Sequence, residues 1–193
     1  MDIPTYSKPV LVTDAVVNIA PTLEHKRDIC QNAVDLLHLL GVECPRVAVL
    51  AAVETVNSKM PATIDAASLT AMAVRGQISG ATVDGPLPFD NAISAAAAST
   101  KGIVSSVAGE ADILLAPDLE AGNILAKQMM YFGAADAAGL VLGARIPIIL
   151  TSRADSLRVR VASVALAKLV AERTSDSANT GRAASRHGDE FNA

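Results

Sequence analysis

The sequence predicts an α/β protein built in three layers, with a mainly parallel sheet between helices on both faces. Apolar runs of about four to eight residues alternate with segments of helical periodicity along most of the 193 residues, as in successive βαβ units. The run at 47–53 is almost entirely apolar, which is typical of a strand covered on both faces. The runs at 140–142 and 146–150 have no helix between them, which predicts one antiparallel edge or hairpin.

The first part of the chain contains two strand–helix units. A short strand is predicted at 10–12. Thr22 is predicted to cap the helix that follows, because its hydroxyl can accept a hydrogen bond from the first turn, and Gly41 ends that helix. After the strand at 47–53, Pro61 is predicted to open a second helix, since a proline in the first turn loses no hydrogen bond.

The third unit has a rigid turn between its strand and its helix. A strand is predicted at 78–83, and Asp84-Gly85-Pro86-Leu87-Pro88 follows as a turn that its prolines stiffen. Asp90 is then predicted to cap an alanine-rich helix over 91–99. The turn and the cap both fall at the end of a strand, where ligands of open α/β sheets bind.

The last unit is followed by a second long helix. A strand at 113–116 precedes a helix at 119–131 that Asp118 caps. The helix at 155–173 is apolar around nearly its whole circumference, which is typical of a buried helix, and we expect this chain alone to leave it short of packing partners. The polar, aperiodic segment 174–193 is predicted to be a disordered tail.

Composition limits the classes of function. Hydrophobic residues make up 51% of the chain and aromatic residues 3%, so the core is predicted to consist of Ala, Val, Leu and Ile. The net charge of -4 argues against a nucleic-acid binder. No apolar run reaches the roughly 18 residues of a membrane span, and the N-terminus does not resemble a signal peptide. We therefore expect a cytoplasmic protein that binds neither nucleic acid nor membranes.

Common cofactor motifs are absent from the sequence. It contains no phosphate-binding loop, no dinucleotide fingerprint and no His-Glu-x-x-His helix. The two cysteines, Cys30 and Cys44, are too few for a disulfide framework or a zinc site and are predicted to be free thiols. Ser152 has no Gly-x-Ser-x-Gly context, which disfavours an acyl-serine mechanism. We expect neither a metal nor a cofactor.

Three motifs carry a family resemblance. They are Val83 to Ile93, the turn Pro117-Asp118-Leu119-Glu120-Ala121-Gly122-Asn123, and the turn Leu150-Thr151-Ser152-Arg153-Ala154-Asp155-Ser156. In this order they resemble the phosphate acetyltransferase and phosphate butyryltransferase family, over roughly 10–173. The resemblance implies a fold like that of isocitrate and isopropylmalate dehydrogenases.

The resemblance also implies a reaction and its substrates. The thiolate of coenzyme A attacks an acyl phosphate directly, Ser152 and Arg153 stabilise charge, and Asp155 is the base. Coenzyme A and phosphate or acyl phosphate are then substrates, and no other cofactor is needed. Without the resemblance, the same residues have a structural interpretation. Ser152 or Asp155 would then cap a helix, and Arg153 would be a surface charge.

The resemblance implies a domain organisation as well. Chains of this family are longer, so we expect this chain to begin where their second subdomain begins. Residues 1–150 are then an α/β subdomain, 151–173 are the active-site turn and a helix that packs on the preceding subdomain, and 174–193 are the tail. The apolar surface of that helix predicts self-association, and we expect a homodimer.

Further residues are predicted to bind substrate. Asp118 and Asn123 lie at a helix start, where unpaired N–H groups can hold an anion, and Arg145 and Lys59 are cations for phosphate or the diphosphate of coenzyme A. Capping and close packing explain Asp118 and Asn123 equally well, and a surface role explains Lys59. The remaining polar residues assigned to the cleft wall are Asp84, Asp90 and Asn18.

Three functions remain open at this point. The first is acyl transfer of acetyl or butyryl groups between phosphate and coenzyme A. The second is a non-catalytic subdomain for dimerisation and ligand binding in a split or truncated enzyme. The third is a metal-dependent dehydrogenase on a similar sheet, which lacks a convincing acidic cluster for Mg²⁺.

Overall fold

The computed structural model describes residues 1–188, with side chains as far as Ser175. Two compact units divide the chain, Met1–Ala137 and Ala138–Ala193. The elements in chain order are β1 (Leu11–Thr13), α1 (Leu23–Leu39), β2 (Arg46–Leu50), α2 (Pro61–Val74), β3 (Thr82–Leu87), α3 (Phe89–Ile93), α4 (Ala95–Thr100), β4 (Ile113–Leu115), α5 (Leu119–Tyr131), β5 (Leu140–Val141), β6 (Ile148–Ile149) and α6 (Leu157–Gly188).

The first unit is built on a parallel sheet with the strand order β1-β4-β2-β3. Successive residues of the central strands point into different cores. Val47 and Val49 belong to one cluster, with Cys30 of α1 and Leu69 of α2. Ala48 and Leu50 belong to a second cluster, with Ala92 of α3 and Met129 of α5. Two cores on opposite faces of one sheet confirm the three-layer α/β prediction.

Local capping signals in the sequence predicted several helix ends correctly. The Thr22 hydroxyl accepts a hydrogen bond from the His25 N–H at 3.3 Å at the start of α1. The Asp118 carboxylate accepts one from the Ala121 N–H at 2.8 Å, and α5 has the predicted bounds. Gly41 follows α1 with a φ of +95°, a conformation that favours glycine.

The predicted turn after the third strand is wrong. Asp84, Gly85 and Pro86 lie inside β3, and the register between β2 and β3 shifts there as it does at a β-bulge. β3 is an edge strand, where a proline removes no hydrogen bond from the sheet. A Cβ atom on Gly85 would lie 2.8 Å from the carbonyl oxygen of Val49, so the close approach of β2 requires glycine.

The predicted cap and single helix at 91–99 are also wrong. Pro88 occupies the N-cap position of α3, and Asp90 lies inside that helix. Ser94 then adopts an extended conformation and caps α4 by accepting a hydrogen bond from the Ala97 N–H at 3.3 Å. The serine therefore divides the segment into two short helices, because it satisfies the donors of a new helix start.

The second unit contains a hairpin and the last helix. β5 and β6 pair antiparallel as a separate two-stranded sheet, which confirms the predicted hairpin. The compact units divide after Ala137, whereas the sequence analysis places a boundary after Leu150. The hairpin belongs to the second unit because it pairs with itself and packs with α6.

One face of α6 is covered within the described residues. Val159, Ser163 and Ala167 recur every four residues and are buried. Leu157, by contrast, is 77% exposed, as expected of an apolar helix that is short of packing partners in this chain. Side chains beyond Ser175 and residues 189–193 lie outside the described part of the chain. The segment 174–193, for which a disordered tail is predicted, falls on α6 as far as Gly188 and lies otherwise outside the described residues, so disorder there stays a prediction.

The two cysteines differ in accessibility, and this difference predicts their reactivity. Cys30 is fully buried and Cys44 is exposed. Burial raises the pKa of the Cys30 thiol to about 12. Since the thiolate is the reactive form, we expect a thiol reagent to label one group per native chain and two after denaturation. Rapid labelling of native Cys44→Ser would contradict this expectation.

No helix among the described residues is long and apolar enough to cross a membrane.

Candidate active site

The loop after β1 is organised by the carboxylate of Asp14. That carboxylate accepts hydrogen bonds from the backbone N–H groups of Val16, Val17 and Asn18 at 2.8, 2.9 and 2.7 Å. The side-chain amide of Asn18 donates a further bond at 2.7 Å. Four donors on one carboxylate hold the loop in a single conformation at the carboxyl edge of the sheet.

These hydrogen bonds predict a pH-dependent contribution to stability. Partial burial alone would raise the pKa of Asp14, but the bonds from Val16, Val17 and Asn18 outweigh it and lower the pKa. A carboxyl group whose pKa is lower in the folded protein than in the unfolded chain stabilises the fold at pH values above about 3.9, the pKa in the unfolded chain. This stabilisation is lost as the pH falls through the pKa of the folded state. We expect Asp14→Ala to cost about 1–2 kcal/mol at pH 7, as a lost capping side chain does. Urea unfolding should show that this difference shrinks below about pH 4; a pH-independent difference would contradict the assignment.

The start of α5 is anchored to the same loop. The Asn123 side-chain amide donates to the carbonyl oxygen of Ala15 at 3.0 Å, and the Leu119 N–H donates to that of Ile19 at 3.2 Å. Gly122 is buried, and a Cβ atom there would overlap the carbonyl oxygen of Asp14. The helix therefore packs directly on the loop, which requires glycine at this position.

The predicted residues Asp118, Asn123 and Asn18 thus lie in one region of the first unit. Their side chains are engaged in structural bonds: Asp118 caps α5, and the other two hold the loop. Asp14, which organises this region, is not among the site residues predicted from the sequence. The sequence signal for it is an aspartate that follows a strand, with an asparagine four residues later. At this spacing the aspartate side chain can accept hydrogen bonds from the backbone N–H groups that follow it.

Asp84 and Lys59 lie elsewhere in the first unit. Asp84 is in the edge strand β3, where its carboxylate accepts a hydrogen bond from the Gly85 N–H at 2.8 Å. Lys59 is exposed on the loop between β2 and α2, and its ammonium group has no ion pair with a described residue. No hydrogen bond or ion pair within the described part joins either residue to Asp118 or Asn123.

Asp90 belongs to a small ion cluster after the strands β2 and β3. The ammonium group of Lys101 lies 3.2 Å from the carboxylate of Glu54 and 3.9 Å from that of Asp90. The bond from Lys101 also lowers the pKa of Glu54, after the larger effect of the backbone N–H of Glu54 itself. The cluster links the β2 exit loop to α3 and α4.

The predicted catalytic turn lies in the second unit, and its three residues are close together. The Ser152 N–H donates to the Asp155 carboxylate at 2.6 Å, and the Asp155 N–H donates to the Ser152 carbonyl oxygen at 3.1 Å. The Ala154 N–H donates to the Ser152 hydroxyl at 3.4 Å. The turn is closed by its own side chains before α6 begins.

Neither Ser152 nor Asp155 caps the helix that follows. That role falls to Ser156, whose hydroxyl accepts a hydrogen bond from the Val159 N–H at 3.3 Å. The alternative of helix capping by Ser152 or Asp155 is therefore wrong. Arg153 is exposed, and its guanidinium group makes no ion pair with a described residue.

Arg145 lies on the hairpin turn between β5 and β6, within the second unit. It is exposed, and it too makes no ion pair with a described residue. Among the residues that the structure describes, no group of three or more His, Cys, Asp or Glu side chains could hold a metal ion. Because Arg145 and Arg153 are exposed and make no ion pair with a described residue, both can bind an anion from solution.

The turn offers three chemical groups within four residues. A guanidinium group stays protonated at any physiological pH and can bind two oxygens of one anion at once. The Asp155 carboxylate accepts one backbone bond through one of its oxygens, and the other oxygen is open to a proton. The Ser152 hydroxyl can still donate a hydrogen bond. Such a set suits a reaction in which negative charge develops on oxygen and a proton is removed.

Comparison with known proteins identifies the family. A family model described as "Phosphate acetyl/butaryl transferase" matches residues 1–168. The chain belongs to this family. A phosphate acetyltransferase of Rickettsia felis is 61% identical over 175 residues, which cover 90% of this chain and 50% of that protein. A probable phosphate butyryltransferase of Bacillus subtilis is 54% identical over 171 residues, with coverages of 89% and 57%.

A solved relative supports the fold of the family. The crystal structure of a branched-chain phosphotransacylase from Enterococcus faecalis is 37% identical, with a TM-score of 0.80 over 87% of this chain and 60% of that one. The family resemblance expected from the three motifs is therefore confirmed, as is membership in a family of enzymes. The chain spans about half the length of the curated relatives it matches.

Proposed function

We propose that this chain takes part in transferring an acyl group, acetyl or butyryl, between phosphate and coenzyme A. The observation that carries the proposal is the turn at 152–155. The backbone and hydroxyl groups of Ser152 are bonded within the turn, and the Arg153 guanidinium group is exposed without an ion-pair partner among the described residues. An unpaired arginine on an ordered turn is suited to hold a phosphate or a developing oxyanion.

The proposed reaction assigns one task to each residue of the turn. Asp155 accepts the proton of the coenzyme A thiol, and the resulting thiolate attacks the carbonyl carbon of the acyl phosphate. Arg153 and the Ser152 hydroxyl stabilise the negative charge that develops on the carbonyl oxygen. The bond between the acyl carbon and the phosphate oxygen then breaks, and phosphate leaves with the electron pair.

Five further residues are proposed to contact the substrates. Asp118, Asn123 and Asp84 are proposed for the cleft wall, and Arg145 and Lys59 for the phosphate groups of the substrates. The reaction as proposed needs no further cofactor. A cytoplasmic location without nucleic-acid or membrane partners stays a prediction.

The relatives are about twice as long as the stretch that matches this chain, and we propose that turnover needs their additional part as well. Holding two substrates in attack geometry contributes roughly 7–11 kcal/mol to lowering the barrier, and a cleft needs two walls for that. We propose that α6 packs on the part that the longer relatives have in addition. By itself, the chain is then expected to bind coenzyme A weakly and to form no acyl coenzyme A.

A hybrid enzyme tests the proposed function directly. In it, this chain replaces the matched part of the Rickettsia felis relative, with which it is 61% identical. Formation of acetyl or butyryl coenzyme A from the acyl phosphate is measured for the hybrid and for the chain alone. Activity only in the hybrid supports the proposal. An inactive but folded hybrid would contradict it, and ordinary turnover by the chain alone would contradict the need for a second part.

A non-catalytic role in dimerisation and ligand binding remains the alternative function. It is favoured by apolar side chains of the second unit, where Leu157, Val161 and Val164 are 77%, 58% and 55% exposed. Contiguous apolar surface of this kind usually marks an interface, and we propose a homodimer. Sedimentation of the purified chain tests the proposed dimer, and a clean monomer would contradict it. The hybrid assay distinguishes catalysis from a purely structural role.

A further inference from the structure

An arginine outside the predicted site holds the backbone of the catalytic turn. Arg160 lies on the first turns of α6, and its own N–H donates to the Ser156 carbonyl oxygen at 3.2 Å. Its guanidinium group reaches back and donates to the carbonyl oxygen of Arg153 at 3.1 Å. Side chains on a helix point toward its N-terminus, so an arginine at this position can reach the residues that precede the helix.

This bond adds to the internal bonding of the turn. The N–H and carbonyl groups of Ser152 are bonded within the turn, and so is its hydroxyl. The carbonyl group of Arg153 has no donor inside the turn and receives one from Arg160 instead. With that bond made, the backbone on both sides of the Arg153 side chain is held.

The same bond affects the electrostatics of an anion site. A carbonyl oxygen carries partial negative charge, which repels an anion bound to the side chain of the same residue. A charged donor on that oxygen counters the repulsion and is a stronger bond than one from a neutral group. Arg160 also adds a second positive charge beside Arg153. This charge offsets the negative charge of the Asp155 carboxylate in the same turn.

We propose that Arg160 is a positioning residue for Arg153 and that it thereby raises the affinity of the turn for phosphate and acyl phosphate groups. This inference rests on the proposed function, since it assigns Arg160 a role in the same anion site. Arg160 acts through the Arg153 carbonyl group, and it is not assigned a contact with substrate.

Amide hydrogen exchange in the intact chain tests the structural part. The variants are Arg160→Met, which removes the donor, and Arg160→Lys, which keeps a charged donor. We expect Arg160→Met to speed exchange of the Ala154 and Asp155 N–H groups about three- to tenfold, the range for one net hydrogen bond. Arg160→Lys should restore part of the protection.

Lys168→Met is the control, because it removes a positive charge from the same helix at a residue that pairs with Glu172 and not with the turn. It should leave exchange at the turn unchanged. The inference is overturned if Arg160→Met exchanges like the wild-type chain. It is also overturned if Lys168→Met accelerates exchange equally, because the effect would then come from charge at a distance.

Inorganic phosphate is the probe for the functional part. It is titrated against chloride at equal ionic strength, and the Nε–H resonance of Arg153 is followed by NMR. We expect this resonance to shift in the wild-type chain and the apparent dissociation constant to rise about three- to tenfold in Arg160→Met, with partial recovery in Arg160→Lys. Unchanged phosphate affinity in Arg160→Met overturns the role in anion binding. A wild-type chain that does not respond to phosphate counts against the proposed function itself, while the exchange experiment still decides whether Arg160 holds the turn.

Discussion

Replacing Arg153 by alanine is expected to lower turnover of the hybrid enzyme about 10²–10³-fold, the usual loss on removing one preorganised donor to an oxyanion. The guanidinium group is exposed and has no ion-pair partner among the described residues, so its removal should leave the fold intact. The measurement is steady-state formation of acyl coenzyme A, with thermal unfolding as a check on stability.

Two further variants show whether the loss of turnover in Arg153→Ala is specific to this guanidinium group. Arg153→Lys should not restore activity, because an ammonium group cannot replace the planar fork that binds two oxygens. Arg27→Ala is the control, since Arg27 is an arginine on α1 whose ion pair with Asp28 is at the surface. Wild-type turnover in Arg153→Ala would remove this turn from the active site, whichever result Arg153→Lys gives.

Replacing Asp65 by alanine is expected to reduce the free energy of unfolding by about 2 kcal/mol, less than for a fully buried ion pair, because the Asp65 side chain is 27% exposed. Lys26 of α1 is only 6% exposed, and its ammonium group lies 2.6 Å from the carboxylate of Asp65 on α2. Without that carboxylate, the lysine keeps a buried charge with no partner. Urea unfolding at neutral pH measures the loss.

The companion variants separate the charge from the packing. Lys26→Met should change stability by less than about 1 kcal/mol, and the double variant Lys26→Met, Asp65→Ala should be more stable than Asp65→Ala alone, because no charge is then left buried. Glu172→Ala is the surface control, since the Lys168–Glu172 pair is exposed and 3.7 Å long. Equal stability of Asp65→Ala and the wild-type chain would contradict a contribution from the pair.

Both predictions combine sequence with structure in different proportions. Arg153 could be selected from its motif, because the three motifs are contiguous stretches whose order identifies the family. The structure adds that the turn is closed by its own bonds and that Ser156 caps α6. Lys26 and Asp65 are far apart in the chain, and nothing in the sequence pairs them. Only the packing of α1 against α2 reveals the buried charge.

Features that depend on neighbours in the chain were determined by the sequence itself. The α/β class follows from the alternation of apolar runs and helical periodicity. The caps by Thr22 and Asp118 depend on a side chain and an N–H group three residues later, and both are present. The hairpin follows from two strands too close together for a crossover helix.

Features that depend on distant residues were decided by the tertiary structure alone. β3 continues through Gly85 and Pro86 because it is an edge strand with a bulge, and strand order is a long-range property. Asp14 and Gly122 meet because α5 packs on the loop after β1. Periodicity and capping describe a few residues at a time, whereas these contacts exist only once separate elements have packed together.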